Sequence, residues 1–329
     1  MSGQTPQSSP SPSAPTAPLS TPRLLPAGLL LFLGVIWGLN SSIAKLSGQH
    51  GVDPIGFSAW QMSGAAAIVG LACLVRGYRI RFDSAHWRYY LLVGLIGTAL
   101  PSINLVNSLR YLPAGVLTIG LSMVPLFSYL MSLGLGLEKF DRLRCLGILI
   151  GFSGVLLIVL PDASLPNPDD AYWFLIGLIT PLLYAFSSVA AAKFRPANAT
   201  SFPLAGGMLI VIGIVLWPVA LIADQGFMPD FTTGFDGQSL GTWSVLIAMA
   251  VSSIAYFLYF EVVRMAGPVA VSMVGYIVTA TGIAWGMAIF DERHSAYVWA
   301  AVLVIFCGLA LVNLRQARAT SKSEINNKN

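Results

Sequence analysis

Charge is what this chain has least of. Only 10% of its 329 residues are Asp, Glu, Lys or Arg, and it holds just three cysteines and three histidines. So little charge argues against a water-soluble globule, and the net charge of +4 gives no ground for expecting a nucleic-acid partner. Cys73, Cys145 and Cys307 lie far apart, with no CxxC spacing and no neighbouring His, which argues against structural disulfides and against a zinc site. His50, His86 and His294 all fall between apolar segments. HExxH and a pair of intramembrane Asp residues are missing, so no catalytic constellation is visible and no cofactor or metal is implied.

What the chain does have is apolar length. Its apolar content is 56% and its mean hydropathy is +0.74. A helix needs about 20 apolar residues to cross a hydrocarbon layer of about 30 Å. Ten such spans can be marked at 25–46, 56–76, 88–110, 114–136, 143–161, 172–193, 202–223, 242–263, 268–290 and 295–314, leaving no room for a separate soluble domain. The runs are too long for tilted barrel strands, and backbone polar groups in lipid must be bonded within the segment. The expectation is an all-α, multi-pass membrane protein.

The basic residues then sort by side. With the N-terminus inside, fifteen of the eighteen Lys and Arg residues fall on that side: Arg23, Arg76, Arg79, Arg81, Arg88, Lys139, Arg142, Arg144, Lys193, Arg195, Arg264, Arg315, Arg318, Lys322 and Lys328. Lys45, Arg110 and Arg293 remain outside. Cytoplasmic loops carry an excess of Lys and Arg, so both termini are expected in the cytoplasm. Residues 1–24, rich in Ser, Pro, Thr and Gln, read as a disordered tail. A signal peptide is the competing reading, with Ser42-Ile43-Ala44 imitating a cleavage site. Residues 315–329 read as a short polar tail.

Laid over itself with a shift of 154 residues, the chain aligns spans three to five with spans eight to ten without a gap. Asn107 meets Glu261, Arg110 meets Arg264, Glu138 meets Glu292, Lys139 meets Arg293 and Gly154 meets Gly308. The first and sixth spans correspond more loosely, VIWGLNSSIAKL against LLYAFSSVAAAKF. The units are then 25–161 and 172–314, joined by an outer linker at 162–171. Five spans is an odd number, so the second copy enters the membrane upside down, the arrangement of carriers that open alternately to either side.

Several stretches carry a resemblance: Trp37-Gly38-Leu39-Asn40 ahead of Lys45, ALPSINLVNSLRYLPAGVLTIGLSMVPLF, Glu138-Lys139-Phe140 ahead of Gly147, Gly151 and Gly154, and FDERHS ahead of Gly308. Over residues 25–314 the chain resembles the drug/metabolite transporter superfamily of the EamA type. That resemblance implies ten helices as two inverted five-helix repeats, cytoplasmic termini and a central cavity lined by helices 1, 3, 4, 6, 8 and 9. It also implies movement of small organic solutes, amino acids and their relatives among them, across a bacterial inner membrane. Two departures stand out. Trp60 and Gln61 lie where many relatives carry an Arg, and Glu261 replaces an expected neutral residue.

Polar groups within a bilayer need partners or a cavity, so their positions mark a candidate site. These are Trp37, Asn40 and Ser41; Asn104 and Asn107, following Pro101; Tyr184, Ser187 and Ser188, following Pro181; Tyr256 and Tyr259; and Tyr276, Thr279 and Trp285. Amides and hydroxyls beside aromatic walls suit a neutral or zwitterionic solute with an apolar part. For the Ser and Thr residues, bonding between helices is an equal reading. Trp87, Tyr89, Tyr172, Trp173 and Tyr297 fit an interfacial aromatic belt. Glu261 sits three residues before Arg264, so an intrahelical bridge and a proton relay both remain open. Glu138 and Glu292 are expected to organise the turns they occupy. Gly147-x-x-x-Gly151 and Gly282-x-x-x-Gly286 allow close helix approach, read here as packing within the chain of a monomer, a dimer being the alternative. The expected activity is transport of a small molecule within a lipid bilayer, export of an amino acid or related metabolite in particular. An organic acid or drug-like solute, a channel and an intramembrane enzyme are the alternatives.

Overall fold

The computed structural model describes residues 24–161, 164–167, 169–197, 199–231, 239–272 and 274–326, with residues 24, 26, 263, 264, 266–272 and 313–326 described by backbone alone. The tail read at 1–24 therefore lies outside the described residues up to residue 23, as does part of the linker read at 162–171. Among the described residues the secondary structure is helical throughout. In chain order the helical segments are α1 (Leu24–Gln49), α2 (Pro54–Val75), α3 (Ser84–Ser108), α4 (Ala114–Gly134), α5 (Arg142–Val159), α6 (Asp170–Lys193), α7 (Ser201–Ile222), α8 (Ser239–Ser272), α9 (Val274–Phe290) and α10 (Ala296–Asn326). Eight contain apolar stretches long enough to cross a membrane, from Ala27–Gln49 in α1 to Ser239–Val262 in α8. The apolar stretches of α9 and α10, Val274–Phe290 and Ala296–Val312, are shorter.

Local chemistry sets several boundaries. Asp83 and Asp141 cap α3 and α5, each carboxylate accepting from two backbone N–H groups of the first turn. Proline disturbs three helices. A π-turn at Leu95–Ala99 precedes Pro101 in α3. A break at Ser122 and Met123 precedes Pro125 in α4, and one at Leu178 precedes Pro181 in α6. Each proline lacks the N–H that would close the preceding turn, and its ring crowds the carbonyl four residues earlier, so the backbone widens or breaks there.

Two boundaries differ from the sequence reading. Residues 268–272 continue α8 instead of opening α9, so the helix runs on through Pro268. The segment from 315 to 326 extends α10, since LRQARATSKSEIN contains neither Gly nor Pro. Tyr89 also departs from the expected belt: it is buried against Tyr90.

The helices pair in a regular way. Segment α1 packs on α8 and α9, while α6 packs on α3 and α4; α2 packs on α8, while α7 packs on α3. Three further pairs are α2 with α7, α4 with α9 and α5 with α10. Exchanging α1–α5 for α6–α10 leaves these pairings unchanged.

The α5–α10 pair is the most intimate. A Cβ placed on Gly147 or on Gly308 would collide with the other's carbonyl oxygen, and Gly154 faces Ile305 in the same seam. Lipid offers apolar surface as favourable as a neighbouring Leu, so helices associate through such close packing rather than through burial alone. The Gly147-x-x-x-Gly151 spacing thus serves a contact within the chain. Replacing Gly308 with Leu should destabilise the fold by about 1–3 kcal/mol through overpacking. Gly28, with open space around its Cα, should accept Ala without loss. Thermal unfolding in detergent, followed by tryptophan fluorescence, compares the two.

Candidate functional site

A buried polar network links four helices. Gln61 of α2 donates through Nε2 to Asn40 Oδ1 of α1 at 3.1 Å and to Ser252 Oγ of α8 at 2.8 Å. Ser252 in turn donates to Asn40 Oδ1 at 3.2 Å. On the other side, Ser102 of α3 donates to Gln61 Oε1 at 3.3 Å and lies 2.8 Å from the hydroxyl of Ser58. Satisfying every valence of a buried amide is what makes such a network tolerable in an apolar interior. Of these residues only Asn40 was expected at a site. Gln61 drew notice as a departure, whereas Ser58, Ser102 and Ser252 did not. The legible signal was Ser58 and Gln61 three apart on one helical face.

The aromatic wall lies beside this network. Trp37, one turn before Asn40, meets Tyr256 edge-on at 6.2 Å and Tyr259 in a tilted contact at 5.4 Å. Tyr256 follows Ser252 by four residues and so continues the same face of α8. Ser41 is buried.

A cavity of about 480 Å³ opens between α2, α3 and α6. Three amides, Asn104, Asn107 and Gln225, share its wall with Pro54, Ile55, Leu100, Ile103, Ile179 and Leu183. It lies where two of its bounding helices are irregular: Leu100 follows the π-turn of α3 and Ile179 follows the break in α6. Asn104 spends its donors on α6, giving hydrogen bonds to Ile176 O at 2.9 Å and Thr180 Oγ1 at 2.8 Å. Asn107 makes no side-chain hydrogen bond among the described residues, so its amide is available to an occupant of the cavity.

The remaining expected residues hold helices together. Ser187 donates to Val93 O of α3 at 3.3 Å, and the exposed Ser188 bonds back to Tyr184 O within α6. Tyr184 is half-buried outside the cavity wall. Thr279 donates to Thr118 O of α4, Trp285 Nε1 donates to Val35 O of α1 at 3.2 Å, and the Tyr276 ring meets Phe306 of α10 at 5.5 Å. The expected residues thus divide among an α1–α8 wall, an α2–α3–α6 cavity and several seams. Residue type alone does not separate a seam from a cavity.

Charged pairs close the two ends. At one end Lys45 Nζ lies 2.7 Å from Glu292 Oε1. The same carboxylate accepts from the N–H groups of Ala114 at 2.6 Å and Gly115 at 3.0 Å, which open α4. Favourable interaction with a helix N-terminus adds to the ion pair. Glu292 therefore does more than organise its own turn, joining α1, α4 and the end of α9. Nearby, Arg110 binds Asp53 Oδ1 at 2.9 Å and Val52 O at 3.0 Å.

At the other end the buried Glu261 pairs with Arg76, which follows α2 and whose guanidinium lies over the rings of Phe202 and Phe257 at 5.2 and 5.3 Å. That bridge between helices was not anticipated by the intrahelical reading; the side chain of Arg264 lies outside the described residues. Glu138 pairs with Arg144 at 2.7 Å and is 39% exposed, so it does organise its own turn. Among the described residues, no grouping of three His, Cys, Asp or Glu side chains is placed to hold a metal ion.

Comparison with known proteins gives this architecture a family. The sequence signature of the EamA-like transporter family matches residues 25–160 and again 171–314. The "Uncharacterized inner membrane transporter YedA" of Escherichia coli is 26% identical over 301 residues, covering 89% of this chain and 92% of that protein. Protein PecM of Dickeya dadantii is 27% identical over 228 residues, or 69% of this chain and 73% of that one. The "Uncharacterized transporter YvbV" of Bacillus subtilis is 22% identical over 310 residues, 93% and 98% of the respective chains. A solved crystal structure matches the fold with a TM-score of 0.59 at 18% identity, over 89% of this chain and 98% of that one. The matched segments take in nearly all of the helical chain, and with them its apolar spans and paired Glu motifs: the protein belongs to the EamA-like transporter family and is a multi-pass inner-membrane protein.

Proposed function

We propose that the protein is an alternating-access carrier that exports an amino acid or a related small metabolite. The carrying observation is the exchange symmetry of the main helix pairings, in which α1–α5 and α6–α10 take equivalent partners. Together with the 154-residue repeat, it supports ten spans arranged as two inverted five-helix halves with both termini in the cytoplasm. In that topology the Lys45–Glu292 end faces outward and the Arg76–Glu261 end faces the cytoplasm. The carrier works as a monomer in the bilayer and needs no cofactor.

The substrate reading rests on chemistry. The cavity is within the size range of small-ligand sites and combines apolar walls with a few amides, a lining that accepts a hydrogen-bonding head and an apolar body. The Trp37, Tyr256 and Tyr259 wall adds aromatic surface along α1 and α8. In liposomes, uptake of the transported metabolite should saturate with concentration, which a channel would not show. Asn107→Leu should abolish flux at unchanged thermal stability, because its amide is uncommitted. Asn104→Leu should lower both flux and stability, because it leaves the Ile176 carbonyl and Thr180 hydroxyl without their donor, at a cost of about 1–3 kcal/mol. No flux of any amino acid or related metabolite across a broad panel overturns the substrate reading.

The topology is separately testable. A cysteine introduced at exposed Tyr111 should react with an impermeant maleimide added outside intact cells, whereas one at exposed Arg79 should react only after permeabilisation. The opposite pattern reverses the orientation.

A further inference from the structure

His294 is a buried titratable group for which the transport reading has no use. Its side chain is only 2% exposed, and Nε2 has no hydrogen-bond partner among the described residues. That nitrogen points toward the Glu292 carboxylate at 3.8 Å, over the start of α4. The position requires Gly115, since a Cβ there would lie 2.7 Å from Nε2. Around it Lys45 comes from α1, Glu292 from the same turn, backbone N–H groups from α4 and the apolar Trp299 ring from α10 at 6.3 Å.

We propose that Lys45, Glu292 and His294 form a proton-binding site that latches the outer mouth: the shared carboxylate holds α1, α4 and α9 together, and a proton taken up by His294 from the outer solution releases them. The inference rests on the carrier reading for its purpose and on the geometry alone for its existence. No covalent bond changes. The proton passes from solvent water to Nε2, and the resulting imidazolium competes with the Lys45 ammonium for Glu292. Two cations and one carboxylate are poorly housed in a dry pocket, and they are relieved when the mouth opens to water.

The sign follows from linkage. Burial holds the His294 imidazole below the usual histidine value of 6.5, Glu292 pulls it upward, and Lys45 pushes it down again. An opened, hydrated mouth restores the ordinary value, so the open state binds the proton more tightly and acid favours opening. The repeat confines this device to one mouth. At the shift of 154 residues, Glu292, Arg293 and His294 meet Glu138, Lys139 and Phe140. The exposed Phe140 cannot titrate, and Glu138 is committed to Arg144.

The test uses the full chain with its three cysteines replaced by Ala, and spin labels at exposed Gln49 and Ala296, which flank the latch. Distance distributions are recorded between about pH 8 and about pH 5, the interval in which an imidazole titrates. The longer-distance population should grow severalfold on acidification. His294→Phe, which copies the other mouth, should hold the pH 8 distribution throughout. Glu292→Gln and, independently, Lys45→Met should show the longer distance already at pH 8. A wild-type distribution indifferent to pH overturns the proposal. So does a His294→Phe variant that still responds, or a short distance at pH 8 in both latch variants. No substrate enters the measurement, so failure of the carrier reading would appear in liposome flux and leave these distances untouched.

Discussion

A bilayer interior offers no hydrogen-bond partner, and the buried polar networks among the described residues answer to that constraint. A soluble protein can leave an amide in water, but a group at membrane depth must be met by another helix or line a cavity. Asn40, Gln61, Ser102 and Ser252 meet one another across four helices. Thr279 and Trp285 find backbone carbonyls. Once those demands are met, the unmet amide of Asn107 becomes informative, since it marks a place where protein does not supply the partner.

The same constraint explains how the helices approach. Without an apolar driving force between them, they gain from contact only when backbones come close, which is why glycines line the α5–α10 seam. It also explains the charges. In Lys45–Glu292 and Arg76–Glu261, removing a partner strands a buried carboxylate. Pairs of this sort are costly to break and therefore suit positions where two arrangements must be distinct.

Sequence periodicity and length revealed much of the architecture. Apolar runs located the helical segments. Where the reading missed, the cause was long range. Glu261 pairs with Arg76, 185 residues away, a partner that the sequence reading did not name; the side chain of Arg264 lies outside the described residues. Nothing local records such a meeting. Likewise Tyr184, Ser187 and Ser188 share a face by spacing, but only the position of α3 decides that Ser187 is spent on Val93. The spans marked at 242–263 and 268–290 left a gap between them, and α8 runs through it to Ser272.

The helix pairings are symmetric, and the chemistry laid on them is not. The repeat partner of Asn104 is Leu258, and that of Asn107 is Glu261. One half thus carries a free amide beside a cavity where the other carries a carboxylate bound to Arg76. His294 faces a buried carboxylate, whereas its partner Phe140 is exposed. A duplicated fold alone would give its two halves the same chemistry. Substitutions that break the repeat are what make the two ends differ, and those differences lie at these mismatched positions and not in the helices they share.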